Sequence, residues 1–350
     1  MMVAHAGSPD DRFAAALAVA RGGRAAERRR ELATARDRYA ESLELLGGLD
    51  ETPLLANVLR WMGSVCRDLG DIDAADRSYR ESLAVAQATN AWSGQASALN
   101  CQAAIAQRRG DLDGAAMLYR EAGRMAVQAG EIRLSGMIEQ NLGVLASIQG
   151  DLTEALTRYH ASLGAFRQVD DEEAVSWVLN NMGMVLNDLR QHEEADRTFT
   201  AARDIARRLR NRAMEGILLT NQAEGLIAME RWHDAGLALA QAMDIAQGGE
   251  ERGREAEALK FLGILERERG RYGRSVAHFA DALNIARQVA DGLLTGEILR
   301  ERGDLRLREG DPDGAAADWR SALHELESAG ASRDAEGVRA RLASIRGDGR

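Results

Sequence analysis

Small, bulky and small residues recur along this chain at spacings of four and three, and the triplet itself returns every 40 residues. The bulky member reads Tyr39, Tyr79, Tyr119, Tyr159, Phe199, Leu239, Phe279 and Trp319. Four residues before it stands Ala35 and its equivalents through Ala315; three after it stands Ser42 and its equivalents through Ala322. Positions spaced in this way share one face of an α-helix, where small residues let a second helix approach and the ring is expected to fill the space between that hairpin and its neighbour. A second series, Gly23, Gly63, Ala103, Gly143, Gly183, Ala223, Gly263 and Gly303, belongs to the helix before. Between the two helices come Gly70-Asp71, Gly110-Asp111, Gly150-Asp151 and Gly310-Asp311, with Gly270-Arg271 in register and Arg190 and Glu230 in the remaining places. Glycine closes one helix in a left-handed conformation, and aspartate caps the next. The pattern predicts an all-α chain of about eight helical hairpins. Each leaves an apolar face bare, so the hairpins must stack.

The small-aromatic-small pattern, with Leu or Met before Gly in the first helix (Met62-Gly63, Leu142-Gly143, Met182-Gly183, Leu262-Gly263), resembles the tetratricopeptide repeat. The 40-residue step is similar to the long-repeat branch of cell-polarity adaptors and of the sensor regions of bacterial transcription regulators. That resemblance covers residues 11–346 and implies a right-handed α-solenoid, a superhelix of about eight hairpins plus a C-terminal capping helix. Hairpins are expected at about 11–48, 52–89, 91–129, 131–169, 171–209, 212–248, 253–290 and 292–329, with the cap at 332–346, in one superhelical domain. Residues 1–10 read as a disordered tail.

Three places depart from the pattern. Gly22-Gly23 and Arg28-Arg29-Arg30 make the first hairpin degenerate, so it is expected to fray, leaving room for a second chain to cover it. Gly225, Gly236 and Leu239 predict looser packing in the hairpin over 212–248. In the cap, Arg339, Arg341 and Arg346 suit a solvated end.

Composition narrows the function. The chain carries 45 basic residues against 55 acidic ones, a net charge of -10 that repels a phosphate backbone and excludes a general nucleic-acid binder. All basic residues but Lys260 are arginine, a high-GC coding bias of bacterial kind. No apolar run approaches the roughly 18 residues that span a bilayer, and the start does not read as a signal peptide. Two cysteines, Cys66 and Cys101, make neither a disulfide framework nor a four-thiolate site, which favours a cytoplasmic setting.

Candidate binding residues lie on the first helices, which in such a superhelix line the concave wall. One position of that stripe reads Trp61, Cys101, Asn141, Asn181, Asn221, Phe261 and Glu301; its neighbour reads Arg60, Asn100, Gln140, Asn180, Thr220, Lys260 and Arg300. A carboxamide both donates and accepts, so a ladder of them can pair with a peptide backbone of any sequence. In the families resembled, asparagines at this place bind extended peptides, which implies that role for Asn141, Asn181 and Asn221. The alternative is that they bond the adjacent hairpin and set repeat geometry; both roles are compatible. Trp61 and Trp177 read as apolar anchors beside the groove, with ordinary packing as the alternative for Trp177. Trp92 and Trp232 read as packing between repeats.

No catalytic chemistry is legible. The six histidines are scattered without metal-ligand spacing, and no nucleophile elbow or phosphate-cradling loop follows a strand. Arg203, Arg207, Arg208, Arg210 and Arg212 form the one dense basic run, either a site for an acidic partner or a set of helix-end charges. The expected function is a scaffold that holds an extended or helical segment of a protein or peptide partner, without cofactor, metal, nucleic acid or membrane. The alternative is a peptide-sensing module controlling a separate transcription or signalling protein, since no DNA-binding helix-turn-helix precedes residue 11.

Overall fold

A computed structural model of the chain describes residues 8–49 and 52–347. The first seven residues of the expected tail and the side chain of Arg346 lie outside the described residues. All regular structure among the described residues is helical, in seventeen helices. They fall into two compact units, residues 1–170 and 171–350. In the first, α1 (Pro9–Arg28) pairs with α2 (Leu32–Leu46), α3 (Pro53–Asp68) with α4 (Ile72–Ala88), α5 (Trp92–Arg108) with α6 (Leu112–Gln128), and α7 (Ile132–Gln149) with α8 (Leu152–Gln168). In the second, α9 (Glu172–Asp188) pairs with α10 (His192–Arg208), α11 (Arg212–Ala228) with α12 (Trp232–Gly248), α13 (Arg252–Glu268) with α14 (Tyr272–Gln288), and α15 (Gly292–Arg308) with α16 (Pro312–Ser328); α17 (Ser332–Gly347) closes the stack. Within each unit every hairpin packs on the next, and neighbouring first helices touch.

The spacing rules have a direct physical counterpart. Tyr39, Tyr79, Tyr119, Tyr159, Phe199, Leu239, Phe279 and Trp319 are all buried. Six of the rings stand on a glycine of their own hairpin: a Cβ added at Gly63, Gly183 or Gly263 would lie 2.6 Å from Tyr79, Phe199 or Phe279. The ring therefore fills the space inside its hairpin rather than chiefly between hairpins. The small residue three on works as well, because Ser42, Ser82 and Ser162 donate to the carbonyls of Ala16, Ala56 and Gly136 at 2.9, 2.7 and 2.8 Å, tying the two helices together. Burying a hydroxyl is tolerable only with such a partner.

Both departures expected to loosen the fold turn out packed. Helix α1 runs unbroken, because Gly23 is the socket for Tyr39; it also starts at Pro9, inside the expected tail, where Ser8 and Asp11 form a capping box. In the hairpin of α11 and α12, Ala223 and Leu239 are both fully buried, a shallower socket matched by a smaller plug. Gly225 lets α11 approach α9, since a Cβ there would meet the Asn187 carboxamide oxygen at 2.6 Å.

Turns follow the expected chemistry. Gly70, Gly110, Gly150, Gly270 and Gly310 have φ between 71 and 88°, and Asp71, Asp111, Asp151 and Asp311 each accept from the amide three residues on. Where glycine is missing the backbone keeps the same conformation, with φ of 60° at Arg190, 57° at Glu230 and 55° at Ala290. A left-handed alanine costs about 1–2 kcal/mol, only part of which glycine gives back through its freer unfolded chain. Ala290→Gly is therefore expected to stabilise by about 0.5–1 kcal/mol, read as a higher midpoint in urea. An unchanged or lower midpoint would show that this junction carries no strain.

Candidate interaction face of the first helices

The two stripe positions meet across neighbouring first helices. The Asn141 amide donates to the Asn100 oxygen at 2.9 Å between α7 and α5, and the Asn221 amide donates to the Asn180 oxygen at 2.8 Å between α11 and α9. A residue of one hairpin thus bonds the residue 41 later, on the next. These asparagines do fix repeat geometry, yet their capacity is not exhausted. The Asn141 and Asn221 oxygens and the Asn100 amide form no hydrogen bond among the described residues, and all three side chains are half-buried. Asn181 is also half-buried and engaged only by a weak contact from the adjacent Asn180 at 3.4 Å. Gln140 and Trp177 are half-buried too.

Two candidates are committed elsewhere. Asn180 is buried, with its oxygen on Asn221 and its amide toward Asn181 and the Met184 sulfur. Trp61 packs on Tyr39, ring centroids 6.0 Å apart, under the guanidiniums of Arg24 and Arg60 at 5.2 and 5.9 Å. Trp92 is 45% exposed at the start of α5 and does not fill a gap between repeats. Trp232 packs partly into the core and lines an open cleft of about 540 Å³ with Arg231, His233 and Arg269. Three arginines of the basic run are taken up by neighbours: Arg203 donates to Gln222, Arg207 to Glu215 and Arg208 to Glu172, at 2.6, 2.6 and 2.9 Å.

Further along the second unit the same stripe changes chemistry, a feature sequence reasoning passed over. Lys260 holds Glu297 at 2.5 Å, and Arg267 and Arg300 hold Glu301 at 3.0 and 3.1 Å. Arg300 also reaches Asp334 at 2.8 Å, and Arg341 reaches Asp304 at 2.9 Å. Burial opposes the charge on Lys260 and on Glu301. The ion pairs outweigh it: Glu297 lifts the amine upward, while Arg300 and Arg267 bring the carboxyl down. Upstream carboxamide pairs and downstream ion pairs therefore do one job, joining successive first helices. The available signal was the row Lys260, Arg300, Glu301, which stands in line with the asparagines.

Glu224 on α11 and Asp188 at the end of α9 differ from these. Both are exposed, and neither forms a hydrogen bond or ion pair among the described residues. Burial nevertheless raises both carboxyls, and Asp188 raises Glu224 further. Among the described residues there is no cluster of three metal-ligating side chains, and no helix is long and apolar enough to cross a membrane.

Comparison with known proteins agrees with this architecture. The sequence profile of the tetratricopeptide repeat matches residues 133–208, 175–248 and 214–288. No curated protein matches the sequence. Among solved structures the chain is similar to a Rap protein crystallised with competence and sporulation factor, at 12% identity and TM-score 0.63, over 96% of this chain and 98% of that one. It is similar to the apo form of the quorum sensor NprR from B. thuringiensis, at 9% identity and TM-score 0.60, over 94% and 98%. A tetratricopeptide repeat protein from Parabacteroides merdae aligns at 17% identity and TM-score 0.58, over 82% and 97%. Identities this low establish a shared fold and nothing finer.

Proposed function

We propose that this chain, whose residues 133–288 match the tetratricopeptide repeat, is an interaction scaffold whose first helices hold an extended segment of a protein or peptide partner. The observation that carries the proposal is the unused hydrogen-bonding capacity at 40-residue spacing: oxygens on Asn141 and Asn221, amides on Asn100 and Asn181. Half-buried polar atoms without protein partners are held by water, and an extended backbone carries both donors and acceptors to replace it. Gln140 on α7 and Trp177 on α9, both half-buried, are further candidates on the helices that carry Asn141 and Asn181.

Two effects need separating in the test. Asn141→Ala and Asn221→Ala each remove an inter-helix bond and are expected to cost about 1 kcal/mol of stability. Asn181→Ala removes little internal bonding, so it is expected to leave the unfolding midpoint unchanged. All three together are expected to lose the proteins captured by the parent chain from a cell lysate, identified by mass spectrometry, while far-UV dichroism stays helical. Capture of the same proteins by the triple variant would remove the face from the proposal. A second reading is favoured by the fold shared with NprR, a quorum sensor: a small peptide occupies the face and the chain signals to a separate regulator. Small-angle scattering that shifts when a bound peptide is added would favour this reading over a passive scaffold.

A further inference from the structure

We infer that the exposed face of α1 is a self-association surface, on which a second copy of this chain packs its own α1 antiparallel. This goes beyond the interaction reading above and stands independently of it.

The face is the place where every other first helix of its unit receives a preceding hairpin. In α3, Leu54, Leu55, Val58 and Met62 join one core cluster with Leu43 and Leu46 of α2. Forty residues earlier the same positions are Ala14, Ala15, Ala18 and Gly22, and all four are exposed. A Cβ added at Gly22 would meet nothing within 4 Å. Phe13, 36% exposed, and half-buried Leu17 border the strip. The closing helix of the second unit is built differently: Arg333, Glu336 and Arg339 are exposed on α17, which suits a terminal repeat that faces water. Alanine and glycine on α1 bring no such solvation and let a second helix backbone come close.

Charges along one edge of α1 select the occupant. Asp10, Arg21 and Arg28 are exposed and form no hydrogen bond or ion pair among the described residues. By contrast, Arg24 and Arg29 hold Glu27 and Glu31 at 2.9 and 2.8 Å, and Asp11 is held by Ser8. Arg21 and Arg28 follow Asp10 by about three and five whole turns. The three therefore share an edge that is negative at the start of the helix and positive toward its end. A two-fold axis midway between Asp10 and Arg28, beside Ala18, reverses the second copy and sets Asp10 of each against Arg28 of the other. A parallel partner would bring like charges together. The seven residues before Ser8 include no acidic residue to meet Arg21 or Arg28. One helix from each copy makes a contact small beside a standard interface of about 1,600 Å². The dimer is accordingly expected to be weak, with a Kd of about 10 µM.

Sedimentation velocity on the full chain from about 1 to 200 µM tests this. The parent is expected to pass from monomer to dimer over that range. Ala18→Arg sets two cations against each other at the axis and is expected to weaken the dimer by about tenfold or more. Arg28→Asp and Asp10→Arg each turn both cross-pairs into like charges and should do the same. Mixed in equal amounts, these two variants should regain a dimer, because each pair is opposite in sign again. All three side chains are exposed and bond nothing, so dichroism and the unfolding midpoint should stay close to the parent's. A parent that remains monomeric to about 200 µM overturns the inference, as does a dimer indifferent to Ala18→Arg. Charge-reversed variants that pair with themselves as well as with each other would assign the dimer to another surface and overturn it too.

Discussion

Truncating Tyr79, Tyr119 or Tyr159 to alanine is expected to lower the unfolding free energy by about 3–5 kcal/mol each. Each ring is fully enclosed, and each phenol has its pKa raised, by burial first, to about 12 for Tyr79 and Tyr119. The cost should not be uniform. Tyr79 and Tyr159 stand on Gly63 and Gly143, which have no side chain to swing into the space vacated. Tyr119 is matched with Ala103, whose methyl lines the socket, so its truncation should fall at the lower end. The hydroxyls add a smaller effect, Tyr79 donating to Ser64 and Tyr119 to Gln107, both at a long 3.3 Å. Urea unfolding followed by far-UV dichroism measures the loss. In a stacked array damage passes mainly to adjacent hairpins, so the transition should broaden or split as well as shift. A cost below about 1 kcal/mol at all three would mean the rings do not hold the hairpins together.

Adding volume on the other side of the same contact should hurt comparably. Gly183→Val is expected to destabilise by about 3 kcal/mol, at the upper end of what overpacking costs. A Cβ at residue 183 would lie 2.6 Å from the Phe199 ring, and valine brings two further methyls into the gap. Helix backbones on both sides leave the ring only small movements. Gly183→Ala should be milder, about 1 kcal/mol, because the chain already tolerates alanine under a ring at Ala103 and Tyr119. The pair Ala223 and Leu239 shows how the array balances a narrower socket with a smaller plug, both buried. Accordingly, Gly183→Ala with Phe199→Leu should recover part of what either substitution loses. A double variant no more stable than the sum of the singles would show that socket and plug are not coupled.

Helix positions, turns and the core were legible before any coordinates, because they depend on interactions between residues close in sequence. The 40-residue recurrence located Tyr39 through Trp319 in the core, and the Gly-Asp pairs located the turns. Left-handed backbone at Arg190 and Glu230 was already implied by register, since a hairpin of fixed length needs that conformation whatever residue supplies it. The match of sequence profile and fold to tetratricopeptide repeats follows from the same local rules.

The candidate face was legible only as a stripe. That Asn141 bonds Asn100, that Asn180 is buried while Asn181 is not, and that Trp61 lies against Tyr39 all depend on how one hairpin turns against the next. A rotation of a few tens of degrees about a helix axis exchanges a buried residue for an exposed one 100° away, and local pattern does not resolve it. Gly225 illustrates the limit: isolated in the chain it reads as a weak point, yet against Asn187 it permits close approach. The pairing of Lys260 with Glu297 joins residues on different helices. Local periodicity set the repeat and its core, because backbone hydrogen bonding and one-sided burial act within a hairpin. Which polar groups were paired and which were not was decided by stacking, because a charge or carboxamide is satisfied by whatever the neighbouring helix brings to it.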